Sequence, residues 1–197
     1  RPLVRAGLHW PGIPNPDLDS IRSSWTDESP IAALVFYRAL IQSGNICVVE
    51  AMVDGLREAG LNPLPIFVSS LKDPVAAATL ETIMSKVPPS IILNATGFAI
   101  SAPGQKKVPG PFDLDMAPMV LQIVFSGGNK NSWLKESRGL SPRDIAMNVA
   151  LPEVDGRILT RAVSFKDARR RDDLTQTDLV RYEPVKDRIQ YVCRLAA

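Results

Sequence analysis

Two carboxylates two residues apart, Glu153 and Asp155, lie in the stretch LSPRDIAMNVALPEVDGRI, Leu140 to Ile158. On an extended segment such side chains point the same way, about 7 Å apart, and one could act as acid while the other acts as base. A turn in which Asp155 caps Gly156 uses the same residues without chemistry. The surrounding residues leave both readings open. Ser141 is placed to cap a helix, Pro142 to fill its first position, and Asp144 to complement its N-terminus. Ile145, Val149 and Met147 are expected to face inward. Pro152 lacks an N–H and restrains Leu151, so the helix is expected to end there.

Other chemistry-bearing residues are sparse. His9 is the only histidine, and the two cysteines, Cys47 and Cys193, are far apart in sequence. That set supplies neither a histidine-rich metal cage nor a thiolate zinc site nor a disulfide framework, so no metal site is expected. Cys47 reads as a buried, reduced thiol on an apolar helical face. Neither G-x-x-x-x-G-K-[ST] nor G-x-G-x-x-G occurs, so no phosphate-cradling loop of those types is present. The run DARRRDDL from Asp167 mixes signs and reads as a solvated loop.

The elements that must position these residues alternate in type. PIAALVFY is a continuous apolar run, as in a strand buried on both faces. NICVVEAMVDGLREAG follows with helical spacing, Asn45 as its cap and Gly60 at its end. NPLPIFVSS is a second strand, and DPVAAATLETIMSKV is a helix capped by Asp73 with Pro74 first. PSIILNATG and PMVLQIVFSGG are further strands, separated by the Gly/Pro-rich loop FAISAPGQKKVPGP. NKNSWLKESRG is a short helix, and GRILTRAVSFKD is a fifth strand. This order predicts an α/β fold, an open, mostly parallel sheet with helices on both faces, of Rossmann-like or flavodoxin-like type. Residues 1–30 carry Pro11, Pro14, Pro16 and Pro30 and read as an irregular covering segment, with Trp10 and Trp25 packing on the body. Residues 31–166 form the α/β domain, and 167–197 a loop and helix. The tail PVKDRIQYVCRLAA has no C-cap, so the natural chain is expected to continue into another domain.

In an open parallel sheet, ligands bind beyond the carboxyl ends of the strands. Ser69, Ser70, Asn94, Thr96, Ser126, Gly127, Gly128 and Asn129 fall there. They either approach a ligand or simply turn the chain. The bulk numbers bound the partners. With 197 residues, 45% hydrophobic and 22% charged, and a net charge of +2, this is an ordinary folded composition. A pI of about 8.6 is too weakly basic to imply nucleic acid or an anionic membrane. No apolar run approaches the roughly 18 residues of a bilayer span. The cytoplasm is the expected compartment.

Taken together, LSPRDIAMNVALPEVDGRI, VFYRALIQSGN, LREAGLNPLPIFVSSLKD, IILNATGFA and VLQIVFSG resemble a known family in the same order. It is the family of large chelatase subunits formed by CobN of aerobic cobaltochelatase and the H subunit of magnesium chelatase. The resemblance runs from about Ile31 to Phe165, and GLHWPG is similar to the family's entry segment. It implies one α/β domain from the N-terminal side of a much longer subunit. It implies ATP-dependent insertion of cobalt(II) into hydrogenobyrinic acid a,c-diamide in cobalamin biosynthesis. ATP and Mg would be used by two separate AAA+-type motor subunits, in keeping with the missing P-loop, and this segment alone would bind no cofactor. The partners implied are the remaining domains of the same chain, the two motors and the corrinoid. No catalytic residue is carried over, because the family's metal-insertion residues are expected outside this segment. Glu153 and Asp155 are favoured as a structural or interface turn. Arg38, Asn94, Arg157 and Arg161 are candidates for contact with corrinoid carboxylate or amide groups, since guanidinium matches carboxylate bidentately. Two alternatives stand beside this reading: a non-catalytic docking module of a magnesium-chelatase-like H subunit, and a small-molecule-binding α/β domain.

Overall fold

A computed structural model describes residues 4–101, 110–135, 137, 139–171 and 178–197. In chain order the elements are β1 (Ala6–Leu8), α1 (Leu18–Arg22), β2 (Ile31–Tyr37), α2 (Ala39–Gln42), α3 (Cys47–Glu58), β3 (Asn62–Val68) and α4 (Pro74–Lys86). Then follow β4 (Ile91–Asn94), β5 (Met119–Asn129), α5 (Lys130–Lys135), α6 (Pro142–Ile145), a π-helical turn (Ala146–Ala150) and α7 (Leu151–Val154). The chain finishes with β6 (Ile158–Arg171), β7 (Asp178–Pro184) and α8 (Lys186–Ala196).

The strands form one seven-stranded sheet in the order β1-β3-β2-β4-β5-β6-β7. The strands from β3 to β6 run parallel, and β1 and β7 add antiparallel edges. The parallel order β3-β2-β4-β5-β6 is that of a flavodoxin-like doubly wound sheet, with its switch point between β2 and β4. The expected open, mostly parallel α/β sheet is therefore what forms.

Alternation along β2 shows why its apolar run is unbroken. Ala32, Leu34 and Phe36 pack against Val48, Val49 and Met52 of α3, with α8 on the same face. Ala33 and Val35 pack against Ala76, Leu80 and Met84 of α4 on the other. Each such Leu or Val, fully withdrawn from water, contributes on the order of 1.5–3 kcal/mol. Pro63 and Pro65 are tolerated in β3 because β1 pairs only with Ile66 to Val68, so their missing N–H groups interrupt no second ladder.

Several expectations need correction. Residues 1–30 are not wholly irregular: β1 joins the sheet, and Asp17 caps α1 by accepting the Ser20 amide. A three-residue edge strand is too short to show against that density of prolines. Trp10 is buried as expected, and the Trp25 indole donates to the Pro63 carbonyl at 2.9 Å. The loop expected from Asp167 is a strand as far as Arg171, because β7 returns antiparallel and pairs with it. Residues 172–177 of that charged run, and 102–109 of the Gly/Pro-rich loop, lie outside the described residues. Asn45 does not cap α3. Its side chain bonds Ser43, and Ile46 occupies the cap position without a side-chain bond.

Candidate functional site

The helix that begins at Ser141 does so as its residues dictate. Ser141 Oγ accepts the Asp144 amide at 3.1 Å, and Pro142 fills the first turn. It does not end at Pro152. A π turn precedes the proline, and the Leu151 amide bonds the Ala146 carbonyl five residues back. In that register Pro152 would have to donate to Met147, and it has no N–H to give. Met147 O is thereby freed, and it accepts the Phe98 amide at 2.7 Å. One proline thus creates the acceptor that docks the loop after β4 onto this helix. Gly97 permits the contact, since a Cβ there would lie 2.9 Å from Asn148 Oδ1 and 3.0 Å from Met147 O.

Extra residues in a helical turn also rotate its faces. Ile145, expected inward, is 43% exposed, and Asp144 is buried in its place. The Asp144 carboxylate accepts from Ser126 Oγ at 2.7 Å and the Gly127 amide at 3.1 Å, and the Asn148 amide group lies at 3.3 Å. These bonds tie the helix start to the carboxyl end of β5. Ser69 likewise bonds Asp73 at 2.8 Å, within the cap of α4. At these positions the small polar residues turn the chain and hold its ends.

Glu153 and Asp155 are not an extended acid–base pair. Leu151–Val154 is helical, so the two side chains diverge. Glu153 is exposed. Asp155 points inward, where its carboxylate accepts the Ile100 amide at 2.7 Å, the Ser101 amide at 3.0 Å and Arg157 Nη2 at 2.8 Å. Asp155 is a clasp that fixes the path of the chain leaving β4.

Arg157 carries that clasp into the sheet. Its side chain is buried, and Nη1 lies 3.4 Å from Gln122 Oε1, with the Phe112 ring 5.7 Å from its guanidinium carbon. Burial lowers its pKa, and the Asp155 charge opposes that shift. Gln122 Oε1 also accepts from Asn94 Nδ2 at 2.7 Å, and Gln122 Nε2 donates to Thr96 O at 2.9 Å. Asn94 Oδ1 accepts from Thr96 Oγ1 at 2.8 Å, and Nδ2 also donates to Thr96 O at 3.0 Å. Asn94, Thr96 and Gln122 are all buried, so a hydrogen-bonded polar chain runs from β4 through β5 to Arg157, whose buried Nε finds no partner among the described residues. Gln122 was missed in the sequence. Its signal was a lone amide inside the apolar run VLQIVF.

The four residues proposed for corrinoid contact do not converge. Asn94 and Arg157 meet through Gln122, inside the protein. Arg38 is half-buried just beyond β2, where its amide donates to Val68 O at 2.8 Å and Nη1 to Val4 O at 3.3 Å. Arg161 stacks on Tyr191 of α8 with its guanidinium carbon 3.6 Å from the ring centroid. It lines a hollow of about 430 Å³ with Asp187, Arg194 and Leu195. At the switch point, Tyr37 OH donates to Gly97 O at 3.1 Å, joining the ends of β2 and β4. Burial raises the Tyr37 pKa, so this phenol stays a donor at neutral pH.

His9 packs edge-on against Phe36 with ring centroids 6.1 Å apart, and burial lowers its pKa. The Cys193 thiol is buried and pushed up to about 12 by desolvation and the Glu58 charge. Cys47 is half-buried, and its thiol donates to Tyr182 O. Among the described residues no group of three or more His, Cys, Asp or Glu side chains is arranged to hold a metal ion. No described helix is long and apolar enough to cross a membrane.

Comparison with known proteins places this architecture. Residues 5–197 match the family described as CobN/Magnesium Chelatase. The aerobic cobaltochelatase subunit CobN of a Sinorhizobium species is 44% identical over 204 residues, covering 100% of this chain and 16% of its own length. CobN of Pseudomonas aeruginosa is 39% identical over 194 residues, covering 98% of this chain and 15% of its own. The solved catalytic subunit of cobaltochelatase from Mycobacterium tuberculosis superposes with a TM-score of 0.72 at 27% identity, over 98% of this chain and 15% of that one. The chain thus spans about one sixth of the length of the curated CobN relatives it matches. Over nearly its whole length, this chain belongs to the CobN/magnesium chelatase family.

Proposed function

We propose that this chain is an α/β domain of the large, corrinoid-binding subunit of an ATP-dependent cobaltochelatase acting in the cytoplasm. The reaction is insertion of cobalt(II) into hydrogenobyrinic acid a,c-diamide. Cobalt is the cargo, and ATP and Mg are used by two AAA+-type motor subunits. The observation that carries this reading is 44% identity to a CobN subunit across the entire chain.

Within that subunit the domain's own task is holding and positioning. The crevice beyond β2 and β4 is the place an open parallel sheet offers a ligand. Arg38, just beyond the end of β2, is assigned to contact with a corrinoid carboxylate or amide. Asn94 and Arg157 are enclosed, and they act by fixing the strand ends and the loop that forms the crevice wall. Arg161, in its hollow beside α8, is assigned to contact with the remainder of the subunit. The isolated chain is expected neither to insert cobalt nor to hydrolyse ATP.

Reconstitution tests this. The full-length subunit with both motors, ATP, Mg and cobalt(II) is expected to metallate hydrogenobyrinic acid a,c-diamide, read by absorbance. Failure with the corrinoid together with magnesium insertion into a porphyrin would assign the domain to a magnesium-chelatase-like H subunit, the other branch of the same family.

A further inference from the structure

Phe98 has a left-handed backbone, φ 64°, and a side chain that is 45% exposed. For a bulky side chain this conformation is costly. A turn needing only that backbone shape would be served better by glycine or asparagine. Of the other non-glycine residues with positive φ among those described, Asn15 is a type that tolerates the conformation, and Glu28 and Ala117 carry no ring.

The strain is fixed from three sides. The Phe98 amide is held by Met147 O at 2.7 Å, and Gly97 O is held by Tyr37 OH at 3.1 Å. Asp155 grips the amides of Ile100 and Ser101 at 2.7 and 3.0 Å. A π turn, a buried clasp and a switch-point hydrogen bond therefore converge on one loop. What that loop presents is an aromatic ring, immobilised at its backbone, at the switch point of the parallel sheet. Strain retained at an exposed position is expected where the side chain itself has work to do.

We propose that Phe98 is a positioning residue whose ring packs against the face of the corrinoid macrocycle in the crevice beyond β2 and β4. The assignment rests on the corrinoid-binding reading and names the contact within it. A ring held this way loses little freedom on binding, which favours a flat or gently ruffled apolar face over a flexible partner.

The test compares Phe98→Gly, Phe98→Trp and wild type in the full-length subunit, titrated with hydrogenobyrinic acid a,c-diamide, with thermal melting in parallel. Glycine adopts positive φ without cost, so Phe98→Gly should melt no lower than wild type and yet bind the corrinoid about 5- to 10-fold more weakly. That range corresponds to the ~1 kcal/mol of one aromatic contact. Phe98→Trp should retain affinity within about 3-fold. A Phe98→Gly subunit that binds as wild type would overturn the assignment and leave the corrinoid reading intact. Loss of affinity accompanied by a fall in melting temperature in Phe98→Gly would also overturn it, because the ring would then be holding the fold. Absence of corrinoid binding by the wild-type subunit would overturn the underlying reading instead.

Discussion

The amide of Phe98 donates to the carbonyl of Met147 at 2.7 Å, a carbonyl left open where the Leu151 amide turns back to Ala146 and Pro152 has no N–H to give. A residue with an N–H at 152 could compete for that acceptor if the five-residue register continued. The loop after β4 would then lose its anchor. The contact explains how an imino acid in the middle of a helix contributes to a crevice on the other side of a long connection.

The close approach behind that contact makes Gly97 intolerant of a side chain. Gly97→Ala would set a methyl 2.9 Å from Asn148 Oδ1 and 3.0 Å from the Met147 carbonyl, and backbone cannot yield as a side chain does. Overpacking of this kind costs about 1–3 kcal/mol. A lower urea midpoint with unchanged slope is the expected outcome. An unchanged midpoint would mean that the π turn moves freely.

Asp155 and Glu153 should differ sharply although they are two residues apart. Asp155→Ala strands the buried Arg157 guanidinium and two backbone amides, and breaking a buried ion pair from one side costs about 3–5 kcal/mol. Glu153→Ala removes an exposed carboxylate and should stay within about 0.5 kcal/mol. Chemical denaturation of both variants checks this. Equal effects would contradict the clasp.

His9 gives a pH dependence whose sign follows from its burial. Its folded pKa lies below the ordinary 6.5, so the unfolded chain takes up the proton first. Stability is full above that value and falls as pH is lowered through it toward the folded pKa. His9→Phe should flatten that part of a melting-temperature profile. A wild-type profile that rises on acidification through this range would contradict the buried, neutral ring.

Much of this fold was legible from residue patterns. The runs PIAALVFY and VLQIVF announce strands because burial on both faces demands near-continuous apolarity, interrupted in the second only by Gln122, and Asp73-Pro74 and Ser141-Pro142 announce helix starts. What was not legible depends on tertiary partners. β1 is three residues that become a strand only beside Ile66 to Val68. Asp167 to Arg171 looks like a charged loop until β7 pairs with it. The π turn is a change of hydrogen-bond register, which side-chain spacing does not encode. For the site, residue types nominated Asn94 and Arg157 for corrinoid contact, and the structure places both side chains inside the protein. Residue types did not show that Gln122 joins the two there, because distance across a sheet is absent from a linear chain.

The most direct test of the account is an equilibrium titration of the full-length subunit with hydrogenobyrinic acid a,c-diamide, comparing wild type with Arg38→Ala. Saturable binding by wild type is predicted. The Arg38→Ala subunit should be weaker by about 1.5–3 kcal/mol, the range for a hydrogen bond to a charged group. Wild-type affinity in Arg38→Ala would contradict the placement of the corrinoid beyond β2 and β4, and the absence of saturable binding by the wild-type subunit would contradict the account as a whole.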